Sequence, residues 1–327
     1  MPVCGVMRMN SSRNAGAALL AAMLTVTLVA TFAAAALWQQ WRGIEVESAE
    51  RSRMQSRWVL IGALDWARLI LREDARQSGV DSLAEPWAVP LREARLSTFL
   101  AVDKNNAQAE DESQETFLSG AIVDLQSRLN VTNLIQAAKV DRATLLAFSR
   151  LFKMLNLPQD ALDRMVERMR LAQDPNARDQ TLASMPLPPQ ELDQLAWFDV
   201  PPPIIDRLRP YVTVLPVPTP VNLNTAPFEV IYAVVTNFEP ADARRFVSAR
   251  DLQALNSLSD AERIGRITGA GLKSSLLSVS TRFFEVRSRL RNKQTTVSEI
   301  AVVQRDGMMV KALSRRPAVP GQFAAVQ

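Results

Sequence analysis

The 327-residue chain contains no histidine, and its single cysteine is Cys4. A Ser-His-Asp triad, a Cys-His pair and a histidine-ligated zinc site are therefore all excluded. Carboxylates remain as candidate acids, bases or ligands, and their densest run is Asp103, Glu110, Asp111, Glu112 and Glu115. A calcium loop of the EF-hand type needs oxygen ligands at alternating positions and a glycine at its turn. This run has neither and reads as a solvated loop. Met165 and Met169 share an apolar helical face with Leu162 and Val166, which makes them core filler rather than an exposed thioether site for copper. No spacing singles out a pair of carboxylates in a cleft. The residues describe neither an enzyme nor a metal protein.

A second set of polar residues is more suggestive. Asn222, Asn224 and Thr225 fall in the phrase Asn222-Leu223-Asn224-Thr225-Ala226-Pro227, and Asn130 and Asn133 form a pair upstream. Thr225 is placed to cap a helix, with Pro227 in the first turn, where its missing N–H costs nothing. An Asn-Thr-Ala phrase also occurs in helix-hairpin-helix DNA-binding modules, which makes a periplasmic or membrane-anchored DNA-binding protein the alternative function. Those modules present backbone amides to a phosphate through a Gly-x-Gly hairpin soon after the first helix. Here the chain continues through Val234, Asn237, Glu239 and Asp242 without glycine, and Gly269 and Gly271 arrive too late. The formal charge is +4, and Arg8 and Arg13 supply two of those charges. The remainder is close to neutral and carries no concentrated basic stripe, so nucleic acid is not expected as a partner.

These groups must be positioned by elements that the hydrophobic pattern outlines. No charged residue occurs from Ala15 to Trp41. A helix of that length spans roughly 40 Å, more than a ~30 Å hydrocarbon core. Arg8 and Arg13 precede it without an acidic residue, which places the N-terminus in the cytoplasm and the bulk of the chain outside. Ala33-Ala34-Ala35 offers small side chains to a signal peptidase, an uncut anchor is a second option, and cleavage at Gly16 is a third. The helical pattern continues past the apolar run, with Leu60, Leu64, Ala67 and Leu71 on one stripe and no proline between Ala17 and Arg76. Ser78-Gly79 is a suitable stop.

Farther on, residues 119–123 read as a short apolar strand. Residues 141–170 read as helix broken at Leu157-Pro158, and Ser259 to Glu262 as a capping box. Seven prolines between Val200 and Pro220 suggest a rigid connector. A PxxP ligand is the sharper reading of those prolines, but an exported protein makes it improbable. From residue 282 the period changes to two: Phe284, Val286, Ser288 and Leu290 face one way, and Phe283, Glu285, Arg287 and Arg289 the other. Asn292-Lys293 makes a turn, residues 295–304 form a second strand, and Asp306-Gly307 turns the chain into a third at 308–313. Three strands alone are not a stable domain. The amphipathic half of the N-terminal helix is the available cover, which makes the two ends of the chain one domain and the helical region an insertion.

The N-terminal layout resembles that of type IV pilins and the pseudopilins of type II secretion, whose short basic leader ends in a glycine. The resemblance implies that a prepilin peptidase cuts after Gly16 and methylates Ala17. Most members carry glutamate at the fifth mature position; here it is Ala21. A carboxylate in lipid is kept only for a partner, and its absence is a trait of the minor pseudopilin K family. The paired Asn130 and Asn133, the Asn222–Pro227 phrase and the terminal strands through Arg315-Arg316 resemble that family too.

The resemblance implies an α+β fold: a pilin-like long N-terminal helix packed on a small antiparallel sheet, with a large inserted all-α domain. It divides the chain into a leader (1–16), a helix (17–78, with 17–41 spanning the membrane between Ala17 and the interfacial Trp38 and Trp41), a first α/β part (79–128), a helical insertion (129–274), completing strands (275–316) and a tail (317–327). It also implies a single-pass protein of the Gram-negative inner membrane, partnered by minor pseudopilins I and J, by major pseudopilin G through the filament and by the prepilin peptidase. Some members hold a disulfide, which this chain cannot form. Some bind calcium, but no cluster here matches residue by residue, so no cofactor or metal site is assigned.

Overall fold

Leu60, Leu64, Ala67 and Leu71, spaced as one helical stripe, are all buried. The computed structural model, which describes residues 12–97, 116–173, 187–266, 275–292 and 295–318, places them near the end of α1 (Ser12–Gln77). The acidic run at 103–115, Gly269, Gly271 and the tail from 319 lie outside the described residues. The chain divides into two units, Met1–Val59 and Leu60–Gln327. In the first, α1 is long and apolar enough to cross a membrane, and Leu20, Leu24, Phe32, Trp38 and Trp41 are exposed along it. Arg42 stacks on the Trp38 ring at 5.1 Å.

The second unit is built on a five-stranded antiparallel sheet whose strands lie side by side in chain order. They are β1 (Leu91–Arg95), β2 (Phe117–Asp124), β3 (Phe283–Arg291), β4 (Thr296–Asp306) and β5 (Met309–Pro317). Alternation on β3 puts Phe284, Val286 and Leu290 inside. Phe284 and Val286, with Ala301, Val303 and Val310, meet Leu64, Ala67 and Leu71 of α1. Trp87 closes this core edge-on against Phe284, ring centroids 5.2 Å apart. Arg68 fastens the helix to the sheet by donating Nε and Nη2 to the Val310 carbonyl at 2.9 and 2.8 Å. Gly307 turns β4 into β5 with φ +57°, a conformation that costs other residues about 1 kcal/mol or more.

Between β2 and β3 the chain leaves the sheet and returns to it. Asp124 and Phe284 are partners in the ladder, so residues 125–282 enter and exit at one point. That segment forms α2 (Arg142–Met154), α3 (Gln159–Gln173), α4 (Pro202–Leu208), α5 (Phe228–Val234), α6 (Pro240–Leu252) and α7 (Leu258–Gly265). Asp141 caps α2 by accepting the Thr144 N–H at 2.7 Å. Phe148, Leu151, Phe152, Met165, Met169, Phe198 and Phe246 fill its core, so the methionines are filler. The architecture is α+β: a long N-terminal helix on an antiparallel sheet, with a large helical insertion.

Three local expectations are corrected, and one strand is added. Leu91–Arg95 is an edge strand, half exposed and bulged between Leu91 and Ala94; its Leu-Arg-Glu-Ala-Arg sequence lacks apolar alternation. The cap of α7 is Ser257, whose hydroxyl accepts the Asp260 N–H, two residues before the expected Ser259. The proline-rich stretch contains α4, because Pro202 occupies the first turn, where prolines are tolerated. Thr225 does not cap α5, which starts at Phe228 after Pro227; its hydroxyl is used elsewhere.

Candidate functional site

The polar groups singled out in the sequence converge where the insertion meets the sheet. Asp124, the last residue of β2, is buried. Its Oδ2 accepts from the Thr225 hydroxyl at 2.5 Å and from Asn222 Nδ2 at 3.0 Å. Its Oδ1 accepts the Gln126 N–H at 2.7 Å. Burial pushes the Asp124 carboxyl up, while hydrogen bonds from Thr225, Thr281, Asn222 and the Gln126 amide pull it down. Asn222 Nδ2 also donates to the Asp81 carbonyl at 3.1 Å, and its Oδ1 accepts the Asn224 N–H at 3.0 Å. Asn224 pairs with the Leu255 backbone in both directions, at 3.0 and 2.9 Å. The phrase is thus a set of inward-turned pegs.

Asn130 and Asn133 do the same for the proline-rich loop. Asn130 donates to the Val217 carbonyl at 2.8 Å and accepts the Leu215 N–H at 3.1 Å. Asn133 donates to the Thr219 carbonyl at 2.7 Å and accepts the Thr219 N–H at 2.9 Å. Each amide presents a donor and an acceptor to backbone groups of residues 215–219, which belong to no strand.

A guanidinium that the sequence reading missed joins this junction to α1. Arg305 of β4 is buried and reaches Asp74 at 2.7 Å, the Thr281 carbonyl at 3.0 Å and Asp81. Asp81 in turn accepts the Thr281 N–H at 2.7 Å, and the Arg305 guanidinium lies 4.9 Å over the Phe284 ring. Burial raises the Asp74 pKa from its ordinary 3.8 to about 6, against the pull of Arg305 and with the push of Glu85 and Asp81. No motif marks these residues; the one available signal is Asp124, a charge at the end of an apolar strand.

Among the described residues, Asp74, Asp81 and Glu85 form the one carboxylate cluster with metal-like spacing. It does not fit calcium. Arg305 already supplies the cation to two of the three, and Glu85 Oε2 accepts from Trp87 Nε1 at 2.6 Å and from the Ser82 N–H at 3.1 Å. Four of the six oxygens are committed to donors.

Gly16, Ala17, Ala21, Trp38 and Trp41 all lie within α1 and are exposed, and none is part of this junction. Asn222, Asn224 and Thr225 are brought to it, while Pro227 ends the phrase at the start of α5. A long apolar helix whose end covers a sheet, with buried polar groups locking an insertion to that sheet, is a pilin-like fold. Comparison with known proteins agrees. Two profiles of type II secretion system protein K match residues 127–217 and 221–280. Type II secretion system protein K of Pseudomonas aeruginosa is 26% identical over 92% of this chain and 88% of its own length. The protein of the same name from Pectobacterium carotovorum subsp. carotovorum is 25% identical over 93% and 97%. A chain of the GspK-GspI-GspJ complex from enterotoxigenic Escherichia coli superposes with a TM-score of 0.63 at 15% identity, over 83% of this chain and 98% of that one. This chain is thus similar to type II secretion system protein K over most of its length.

Proposed function

We propose that this protein is the minor pseudopilin that caps the tip of the periplasmic pseudopilus and helps to start its assembly, so that folded proteins can be exported across the outer membrane. Its action is assembly, not catalysis. The prepilin peptidase cuts after Gly16 and methylates Ala17; the helix from Ala17 stays in the inner membrane as a single span, with its N-terminus cytoplasmic and the globular part periplasmic. Minor pseudopilins I and J are its direct partners, and major pseudopilin G follows through the filament. The observation that carries this reading is the insertion at the Asp124–Phe284 junction. A second layer of this bulk on every subunit would obstruct a tightly wound shaft, whereas one copy at an end obstructs nothing. Ala21 supports the same reading, because a subunit at the tip has no earlier neighbour to recruit through a buried glutamate. The solved relative was crystallised in a GspK-GspI-GspJ complex, which supports the choice of partners.

The test is the mass and N-terminal sequence of the protein purified from its own membranes. A methylated Ala17 is expected. A start near Ala36 or Leu37 would indicate a soluble periplasmic protein and end the assembly reading.

A further inference from the structure

Three carboxylates and one guanidinium meet where α1 ends, and their charges do not balance. Asp74 lies in the last turn of α1, Asp81 on the segment after it, and Glu85 just before the 3-10 turn Pro86–Ala88. Arg305 reaches Asp74 and Asp81 from β4. One oxygen of each carboxylate lies within 4.8 Å of the other two. The Asp74 and Asp81 side chains are 8% and 1% exposed, so water screens them poorly. Fully ionised, the cluster would set three negative charges against one positive. Like charges this close and this dry favour the uptake of a proton.

The hydrogen bonds show which groups can hold it. Both oxygens of Asp81 are taken, one by Arg305 and one by the Thr281 N–H. Asp74 commits only Oδ2, to Arg305. Glu85 commits only Oε2, to Trp87 Nε1 and the Ser82 N–H. Among the described residues nothing donates to Asp74 Oδ1 or to Glu85 Oε1, so each of these two groups keeps an oxygen for a proton. The charged groups facing Asp74 are Arg305 from β4 and Glu85 and Asp81 from the segment after α1. Nearby, Glu73 and Arg76 pair with one another on the exposed side of α1, and Arg282 pairs with Asp306 at exposed positions. Neither pair supplies the missing cation.

We propose that Asp74 and Glu85 share one proton, which acts as a pH-sensitive latch between the last turn of α1 and the segment Ser82–Trp87. With the proton in place the two carboxyl groups attract; without it they repel, and the segment opens from the helix while the sheet stays folded. The Asp74 pKa of about 6 lies above the ordinary 3.8, so the latch is closed at low pH and released as pH rises through 6. The test is amide hydrogen exchange of the full-length protein in detergent at pH 5 and 7.5, corrected for the intrinsic pH dependence of exchange. Residues 79–89 should exchange about tenfold faster at pH 7.5, the linkage that follows from a pKa moved from 3.8 to about 6, while β3 stays equally slow. Glu85→Gln keeps an acceptor for Trp87 and Ser82, offers an amide N–H to Asp74, and should hold the segment closed at both pH values. Asp74→Asn should do the same and covers the case in which Glu85→Gln fails to fold. Exchange of 79–89 independent of pH in the wild type, an equal acceleration in β3, or a wild-type pH response surviving in either variant would each overturn the proposal.

Discussion

Asp124 and Asp74 are both carboxylates held at the junction, and they differ in what answers their charge. Asp124 is served by neutral donors: a hydroxyl, an amide side chain and a backbone N–H. Replacing it with alanine removes the acceptor they share, although Asn222 Nδ2 keeps the Asp81 carbonyl and the Thr225 hydroxyl a longer contact to the Asn222 carbonyl; each donor left unanswered costs about 1–3 kcal/mol before relaxation. We expect Asp124→Ala to lower the stability of the full-length protein by about 3 kcal/mol, read from urea unfolding in detergent; a loss within 0.5 kcal/mol, roughly the scatter of surface substitutions, would contradict the network described. Asp74 faces Arg305 but is also crowded by Glu85 and Asp81. Its folded pKa, about 6, lies above the ordinary 3.8, so the folded protein holds a proton that the unfolded chain has released. Stability from this group is therefore present at low pH and lost as pH rises from about 4 through 6. Asp74→Asn removes the titration. The midpoint difference between wild type and Asp74→Asn should shift in favour of wild type at pH 5 relative to pH 7.5; a difference independent of pH would contradict the assignment.

At the scale of elements, what could be read from the sequence was whatever repeats at short range. The Leu60–Leu71 stripe and the β3 alternation announce themselves within a dozen residues, and both are observed in the core. The turn at Gly307 was equally local. β1 was missed because an edge strand has one neighbour and need not bury alternate side chains. The phrase at 222–227 was recognised, but Thr225 was assigned to a cap because its true acceptor, Asp124, lies 101 residues away. Arg305 was not recognised at all, since its partners Asp74 and Asp81 are 231 and 224 residues distant. Two glycines separate packing from propensity. A Cβ at Gly120 would stand 2.7 Å from the Arg287 carbonyl oxygen, whereas one at Gly62 would meet nothing within 4 Å. Gly120→Ala should cost about 1–3 kcal/mol. Gly62→Ala, on the exposed side of α1, should stabilise by about 0.5–1 kcal/mol. Thermal unfolding of the two variants should move in opposite directions.

For the whole molecule, the ladder pairing of Asp124 with Phe284 makes the sheet continuous across the insertion. Joining those two positions through Asn-Gly removes the helical layer without disturbing the register of β2 on β3, because two-residue loops of this kind suit antiparallel strands. Such a protein also loses Asn222 and Thr225, so its Asp124 should be changed to threonine at the same time. Amide hydrogen exchange in β3 and β4 should stay slow in the shortened protein. Uniformly fast exchange would mean that the sheet and the helical layer fold only together.

The two arginines that hold α1 to the sheet also have a mechanical meaning. Arg68 grips the Val310 carbonyl, and Arg305 grips Asp74 two turns farther along the helix. Both clamps engage residues 60–77, through Arg68 and Asp74, and both fasten to β4 or β5. A load arriving along this helix would be taken up in parallel by two multivalent clamps rather than by the loop that follows Gln77. Tension would then reach the sheet before it reached that loop. A protein pulled by this helix would be loaded first at β4 and β5 and would not unravel from Gln77.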